Sequence, residues 1–444
     1  MMDASVEQNK LSLSVELALK KARQLGATQA EVGASVDEGL IATARKRTVE
    51  TVEFTKNHGF GITVYCGQAK GSASTSDFSE AAILNAVDAA YAIAKHTSED
   101  TYAGLADAAQ MAEGIPDLEL DHPWALSVDD AIATALKCEA AGLDFDTRIL
   151  NSEGSTVSSG RSVRVYGNSH GFLAGYPASR HGVSCALIAE DEGGMQRGYW
   201  SDSQRDASLL QAVGAIGEKA AQRALNRLGP QPIKTAKVPV LFRAEVAGGL
   251  IGHFNASIAG GNIYRNSSFM IGKVGEAVFP SFFNLKEQPR LLGGASSSAF
   301  DSDGLATYEK SFVIDGVVQS YILSTYSGRK LGLKSTANAG GLRNVRISDT
   351  GDDFAGLLKK LGTGLVVTEL MGQGINIVTG DYSRGAGGFW VENGEIKHPV
   401  QQITIAGNLA DMFSNIVAIG NDLDKRGNIH TGSILLEQMT VAGN

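Results

Sequence analysis

Val238–Gly261 reads V-P-V-L-F-R-A-E-V-A-G-G-L-I-G-H-F-N-A-S-I-A-G-G. Val238 to Phe242 is an apolar run of the kind that forms a buried strand. From Arg243 to Ile258, apolar residues recur at helical spacing, at Val246, Ala247, Leu250, Ile251 and Phe254. A strand therefore feeds a helix with one apolar face and a single acid, Glu245, in its first turn. With a histidine before that glutamate and another after it, this would be a zinc-peptidase helix, with imidazoles holding the metal and the acid acting as base. Here Ala244 precedes Glu245, and Val246, Ala247, Gly248 and Gly249 follow it. The acid is present and the nitrogen donors are not.

Upstream, Gly229-Pro230-Gln231-Pro232 breaks a helical pattern spanning Asp206 to Arg227 and marks a domain boundary. Before it, the chain reads as two mixed α/β units, 1–110 and 111–234. In the first, helices are expected over Leu11–Leu25 and Phe78–Lys95. Its strands are expected over Glu31–Phe54 (with a turn near Asp37-Glu38-Gly39), Gly59–Cys66 and Ala69–Ser74. In the second, Ser127 opens a helix in a capping-box pattern. Five short strands follow, at 149–159, 161–166, 172–176, 182–190 and 195–201. After the boundary, residues 235–444 alternate short apolar runs with glycine turns: 306–314, 317–323, 364–369, 375–380, 388–392, 395–407 and 434–441. Asp315-Gly316 and Asn393-Gly394 read as hairpin turns. The expected class is α+β: an N-terminal mixed α/β region followed by a β-rich C-terminal domain that carries the degenerate helix.

Composition narrows the function. The 444 residues suggest about three domains. The net charge of −9 argues against a nucleic-acid or anionic-membrane surface. No long apolar run and no leader pattern are visible, so the expected compartment is the cytoplasm. Cys66, Cys138 and Cys185 are far apart and in no C-x-x-C pair, which suits buried thiols better than a disulfide framework or zinc knuckle.

Other motifs are weaker. Gly167-Asn168-Ser169-His170-Gly171 matches the G-x-S-x-G nucleophile pattern, but that elbow requires a strand, a turn and a helix. Here apolar runs on both sides read as strands, so a hairpin turn is expected. No two of the eight histidines are three to five residues apart, so the usual ligand spacing is missing. His253 lies about two helical turns after Glu245, which puts the pair on one face as a possible residual site. Gly372-Gln373-Gly374 and Gly385-Ala386-Gly387-Gly388 complete no phosphate-binding loop.

The sequence resembles the TldD/TldE (PmbA) metallopeptidase family, and its TldE/PmbA branch most. The stretches that carry the resemblance are G-T-G-L-V-V-T-E-L-M-G-Q-G (362–374), T-G-D-Y-S-R-G-A-G-G-F-W-V-E-N-G-E-I (379–396), I-T-I-A-G-N-L (403–409), G-N-D-L (420–423) and Y-S-G-R-K-L-G-L-K-S-T (326–336). The TldD branch holds zinc through His-Glu-x-x-x-His and a cysteine near the C-terminus. The degenerate motif positions here are Ala244, Glu245 and Gly249, and the cysteine would fall within Gly427–Ser433, which contains none. The resemblance thus implies no catalytic residue, metal ligand or cofactor in this chain. It implies zinc in a TldD-like catalytic subunit, a heterodimer with that subunit, and an unfolded peptide as substrate. Gly372, Gly374, Asp381, Tyr382 and Arg384 are the candidate partner- or peptide-binding residues. Two other readings are an autonomous peptidase with an atypical site, and a regulatory protein acting on DNA gyrase.

Overall fold

The computed structural model describes residues 2–443. Its N-terminal region is built from two units with one element order. The first contains α1 (Ala4–Gln24), β1 (Gln29–Arg45), β2 (Thr48–Cys66), β3 (Ala69–Thr75) and α2 (Glu80–His96). The second contains α3 (Val128–Leu143), β4 (Ile149–Asn168), β5 (Leu173–Asp191), β6 (Gly194–Gln204) and α4 (Val213–Leu225). All six strands form one sheet, in the order β3-β2-β1-β4-β5-β6, joined in the middle by antiparallel β1 and β4. The segments 1–110 and 111–234 each contribute three strands to it.

Several strands are longer than the local sequence suggests. Asp37-Glu38-Gly39 is no turn. β1 runs through it, with Gly39 opposite Thr55 on one side and Gly160 on the other. The buried residues of one face explain the polar interruption. Val32, Ala34 and Val36 pack under α1 and α2, whereas Leu40 and Ala42 pack under α3. Glu38 falls between these two covered zones. Likewise 149–159 and 161–166 are one strand, and so are 172–176 and 182–190. The expected helix over 206–227 is shorter: a 3₁₀ turn at Ala207–Leu209 precedes α4.

Both outer helices dock by the same device. A Cβ on Gly71 of β3 would lie 2.2 Å from the Ala90 carbonyl oxygen of α2, and one on Gly198 of β6 would lie 2.1 Å from that of Ala220 in α4. Only glycine lets each helix backbone approach its strand this closely.

The C-terminal half begins with β7 (Ala236–Phe242), α5 (Ala244–Ser257) and α6 (Gly260–Tyr264). Next come β8 (Leu285–Glu287), β9 (Lys310–Ile314), β10 (Val317–Val318), α7 (Thr325–Leu331), β11 (Val345–Ile347) and α8 (Phe354–Leu361). It ends with β12 (Gly364–Met371), β13 (Asp381–Glu392), β14 (Glu395–Asn408), α9 (Leu409–Ser414), β15 (Ile416–Ile419), β16 (Ile429–His430) and β17 (Ile434–Ala442). Its main sheet runs β14-β13-β12-β7-β17-β15, and a further β14–β17 pairing closes it on itself. Alternating residues of β7 serve two cores. Val240 and Phe242 pack with Leu250, Ile251 and Phe254 of α5, while Leu241 packs with Leu357 and Leu361 of α8. A smaller sheet, β10-β9-β8-β11-β16, flanks it. The expected strand over 375–380 is absent apart from one bridge between Ile375 and Tyr382. The α+β class holds, with a β-rich C-terminal domain.

Arginines fasten the halves together by donating to backbone carbonyls. Arg205 reaches Gly294 and Ala295 at 2.9 Å each, Arg329 reaches Gly104 at 3.0 Å and Leu105 at 2.6 Å, and Arg426 reaches Ser201 at 3.2 Å.

Gly198→Ala is expected to lower stability by about 3 kcal/mol, because the new methyl must displace helix backbone. Gly61→Ala, where a Cβ meets nothing within 4 Å, should change it by less than about 0.5 kcal/mol. Denaturant titration of both variants checks the docking argument.

Candidate functional site

The helix that begins at Ala244 starts against the chain's last turns. The Ala244 amide donates to Ser433 Oγ at 3.0 Å, and Ser433 Oγ donates to Asp422 at 2.7 Å. One turn on, Gly248 faces Ile429, whose side chain a Cβ there would meet at 3.8 Å. The two sequence regions expected to correspond to a metal site, Ala244–Gly249 and Gly427–Ser433, therefore converge. Ala244, Glu245, Gly248 and Gly249 line a cavity of about 620 Å³ together with Gly427, Asn428 and Ile429.

Glu245 points across this cavity to the second N-terminal unit. Arg223 Nη1 of α4 donates to it at 2.6 Å, and Arg243 Nε lies 3.6 Å away. Burial pushes the carboxyl pKa up, but the Arg223 hydrogen bond and the charges of Arg243 and Arg223 outweigh it, leaving the pKa below the usual glutamate range. Glu245 is therefore an ionised, occupied carboxylate. Arg426 closes the far wall. It binds Asp424 through Nε at 2.9 Å and Nη2 at 2.7 Å, and its guanidinium lies 4.0 Å over the Trp200 ring.

These residues do not fit a zinc ion. Catalytic zinc requires three protein donors and an open position. Ala244 and Gly249 have no donor atom, and Glu245 and Asp424 are neutralised by guanidinium groups. Among the described residues, no group of three or more His, Cys, Asp or Glu side chains is placed to hold a metal.

His253 is not paired with Glu245. Its ring lies edge-on to Tyr382, 5.9 Å between centroids, and its buried Nε2 has no hydrogen-bond partner among the described residues. Burial, then the Arg384 charge, lowers its pKa and favours the neutral ring.

The glycine-rich stretch divides. Gly372 and Gly374 are exposed, as is Asp381, which accepts a hydrogen bond from Thr379 rather than pairing with Arg384. Tyr382 is only 2% exposed and belongs to the main core, so its ring presents no surface to a partner. Burial pushes its hydroxyl up to about 12 against the opposing pull of Arg384. Arg384 is half-buried behind it, with Nε unpartnered among the described residues.

The Gly167–Gly171 motif is the β4–β5 hairpin turn. Ser169 Oγ accepts from the Ala30 amide at 3.0 Å, a structural bond that ties the turn to β1. Cys138 and Cys185 are buried and Cys66 is half-buried, all as free thiols. A larger cavity, about 890 Å³, lies elsewhere, between the six-stranded sheet and the 295–302 and 340–343 segments. Asp301 on its wall is pushed up to about 6 by burial and then by Asp303.

The residues that sequence reasoning missed are Arg223, Arg227, Trp200 and Arg426. One signal was available: Lys219, Arg223 and Arg227 recur every four residues, a basic stripe along one helix face.

Three family models match the chain. They are PmbA/TldA metallopeptidase domain 1 over residues 30–94, the central domain over 121–228 and the C-terminal domain over 235–443. The metalloprotease PmbA homolog of Haemophilus influenzae is 48% identical over 440 residues, covering 99% of this chain and 97% of its own length. Metalloprotease PmbA of Escherichia coli O157:H7 is 49% identical over 414 residues, 93% of this chain and 92% of its own. A candidate modulator of DNA gyrase from Bacteroides thetaiotaomicron superposes with a TM-score of 0.90 at 25% identity, covering 97% of this chain and 98% of that one. TldE from Thermococcus kodakarensis shares the fold, with a TM-score of 0.85 at 18% identity and coverage of 97% and 100%.

Breaking the buried pair by Arg223→Met should cost about 3–5 kcal/mol, and Arg223→Met with Glu245→Leu should recover most of it. Because the folded pKa of Glu245 is depressed, its contribution is complete above the usual glutamate range and is lost as pH falls through the folded value. Melts of the single and double variants between pH 7 and pH 3 check both. Equal losses in the two variants would mean that the pair is not coupled.

Proposed function

The chain belongs to the PmbA/TldA metallopeptidase family, and we propose that it serves there as a non-catalytic, TldE/PmbA-like subunit of a heterodimeric zinc peptidase that degrades small unfolded peptides. The observation that carries this reading is Arg223 Nη1 on Glu245 at 2.6 Å, beside motif positions filled by Ala244 and Gly249. A general base of a zinc peptidase deprotonates metal-bound water. Ala244 and Gly249 give Glu245 no neighbouring imidazole, and its oxygens face Arg223 and Arg243 instead. In this proposal a TldD-like partner holds the zinc, and this chain completes and walls the cavity through which the peptide passes.

The exposed segment around Gly372 and Gly374, with Asp381 at its base, is the candidate face for the partner or peptide. Glycine there permits close backbone approach, which suits pairing with an extended chain. Arg384 stands just behind this face. No helix among the described residues is long and apolar enough to cross a membrane. Work in the cytoplasm belongs to the same proposal, as does the lack of a nucleic-acid partner, which the net charge of −9 supports.

Peptide turnover by this chain, by its TldD-like partner and by the mixture, each with and without chelator, tests the reading. The mixture is expected to be active and chelator-sensitive, and this chain alone inactive. Glu245→Gln should leave turnover by the mixture within a few-fold, whereas loss of a general base costs roughly 10²-fold or more. Chelator-insensitive cleavage by the isolated chain, or collapse on Glu245→Gln with assembly intact, would overturn it.

A further inference from the structure

Beyond the Arg223–Glu245 pair lies a second cavity, of about 490 Å³, whose charge does not balance. Lys219, Arg223, Arg227, Arg243 and Lys397 line it, and Glu245 is the one carboxylate among its lining residues. Glu369 holds Arg227 at 2.9 Å and Glu395 holds Lys397 at 2.7 Å, both from outside the lining. Five cations thus meet three carboxylates, an excess of two positive charges in a chain of net charge −9. Thr368 lines the same space, and its buried hydroxyl has no hydrogen-bond partner among the described residues.

Three aromatic rings, of Trp200, Phe354 and Phe389, share the wall. The Arg243 guanidinium lies 3.9 Å over Phe354, and Arg223 and Lys219 lie 5.2 Å and 6.0 Å over Trp200. Phe389 completes this side, and Ile396, 45% exposed, lines the cavity where it meets solvent. Rings stacked under guanidinium groups hold them in place while leaving in-plane N–H donors free, the arrangement that binds a carboxylate through two bonds.

We propose that this cavity binds the C-terminal carboxylate of a peptide, with the terminal side chain packed against Trp200, Phe354 and Phe389. Arg223 and Arg243 offer unused guanidinium donors to the carboxylate, and Thr368 offers its hydroxyl. A terminal residue carries an anion and an apolar group on one Cα, which matches a wall that presents both cations and aromatic rings. Inorganic phosphate would satisfy the cations and leave the rings uncovered. The proposal rests on the peptide-handling reading above for its choice of ligand. It gives this chain a substrate contact of its own, adjoining the degenerate metal position and sharing Arg223 and Glu245 with it.

Calorimetric titration of the intact chain tests it, using acetyl-Ala-Ala-Phe as the free acid, the same peptide as its C-terminal amide, acetyl-Ala-Asp-Phe amide, and inorganic phosphate. The free acid is expected to bind, and to bind at least about tenfold more tightly than either amide or phosphate, with affinity falling as salt rises. Arg243→Gln, at a side chain 30% exposed, should weaken the free acid about tenfold with an unchanged melt. Lys219→Gln, at an exposed residue, serves as the second variant if Arg243→Gln disturbs folding. No saturable binding, equal affinity for acid and amide, or no effect of the variants overturns the site. Equal binding of the Asp-containing amide or of phosphate overturns its assignment to a peptide C-terminus. If the mixture with the partner still turns over peptides in those cases, only this inference fails; cleavage by the isolated chain would instead remove the subunit reading.

Discussion

A guanidinium held 2.6 Å from a carboxylate decides what the helix beginning at Ala244 can do. The two charges come from different parts of the chain, Arg223 from α4 and Glu245 from α5, and both are largely withdrawn from water. Such a pair adds little net stability, because desolvation offsets most of the attraction, but it fixes position. It also replaces one kind of cation with another. A metal ion with an open coordination position can bind and activate water. A guanidinium has fixed donors, so it orients an anion and activates nothing. In the proposed reading, the same acid serves architecture rather than chemistry.

The position of that guanidinium is set by the sheet. α4 meets β6 at Gly198, and this close approach fixes where Arg223 and Arg227 leave the helix end. Other guanidinium groups also cross between the halves. Arg205, Arg329 and Arg426 each cross to the other half and end on backbone carbonyls, which any sequence can supply. These directional bonds act beside apolar contacts between the halves, where Phe300 packs against Tyr166, Phe172 and Tyr176.

Much of the fold is legible where periodicity is long and apolar, as in α1, α2, α3 and the β7–α5 unit. It fails where two neighbours override a local signal. Asp37-Glu38-Gly39 has turn chemistry, but pairing to β2 and β4 on both sides makes it the middle of a strand. Closure of the C-terminal sheet depends on Thr404–Ala406 meeting Thr440–Ala442, a long-range pairing with no local signature. The short α7, α8 and α9 lack enough turns to show a period. At the site, Ala244, Glu245 and Gly249 could be placed from the motif alone, and the structure does gather them with Gly427–Ile429. Arg223 could not, because its distance from Glu245 along the chain says nothing about contact. Tyr382 misled because a tyrosine beside an arginine suits a surface as well as a core.

The polar centre of β1 has a consequence for how the protein is made. β1 has its β2 partner once residue 66 is synthesised, but its other neighbour does not exist until β4 is complete at residue 168. At about 5–20 residues per second, the edge from Glu31 to Ala44 stays unpaired for roughly ten seconds. An open, regular edge invites pairing with another nascent chain. Two carboxylates and a glycine in its middle make it a poor template for a stranger. Gly160, waiting later in the sequence, is the residue that fits opposite.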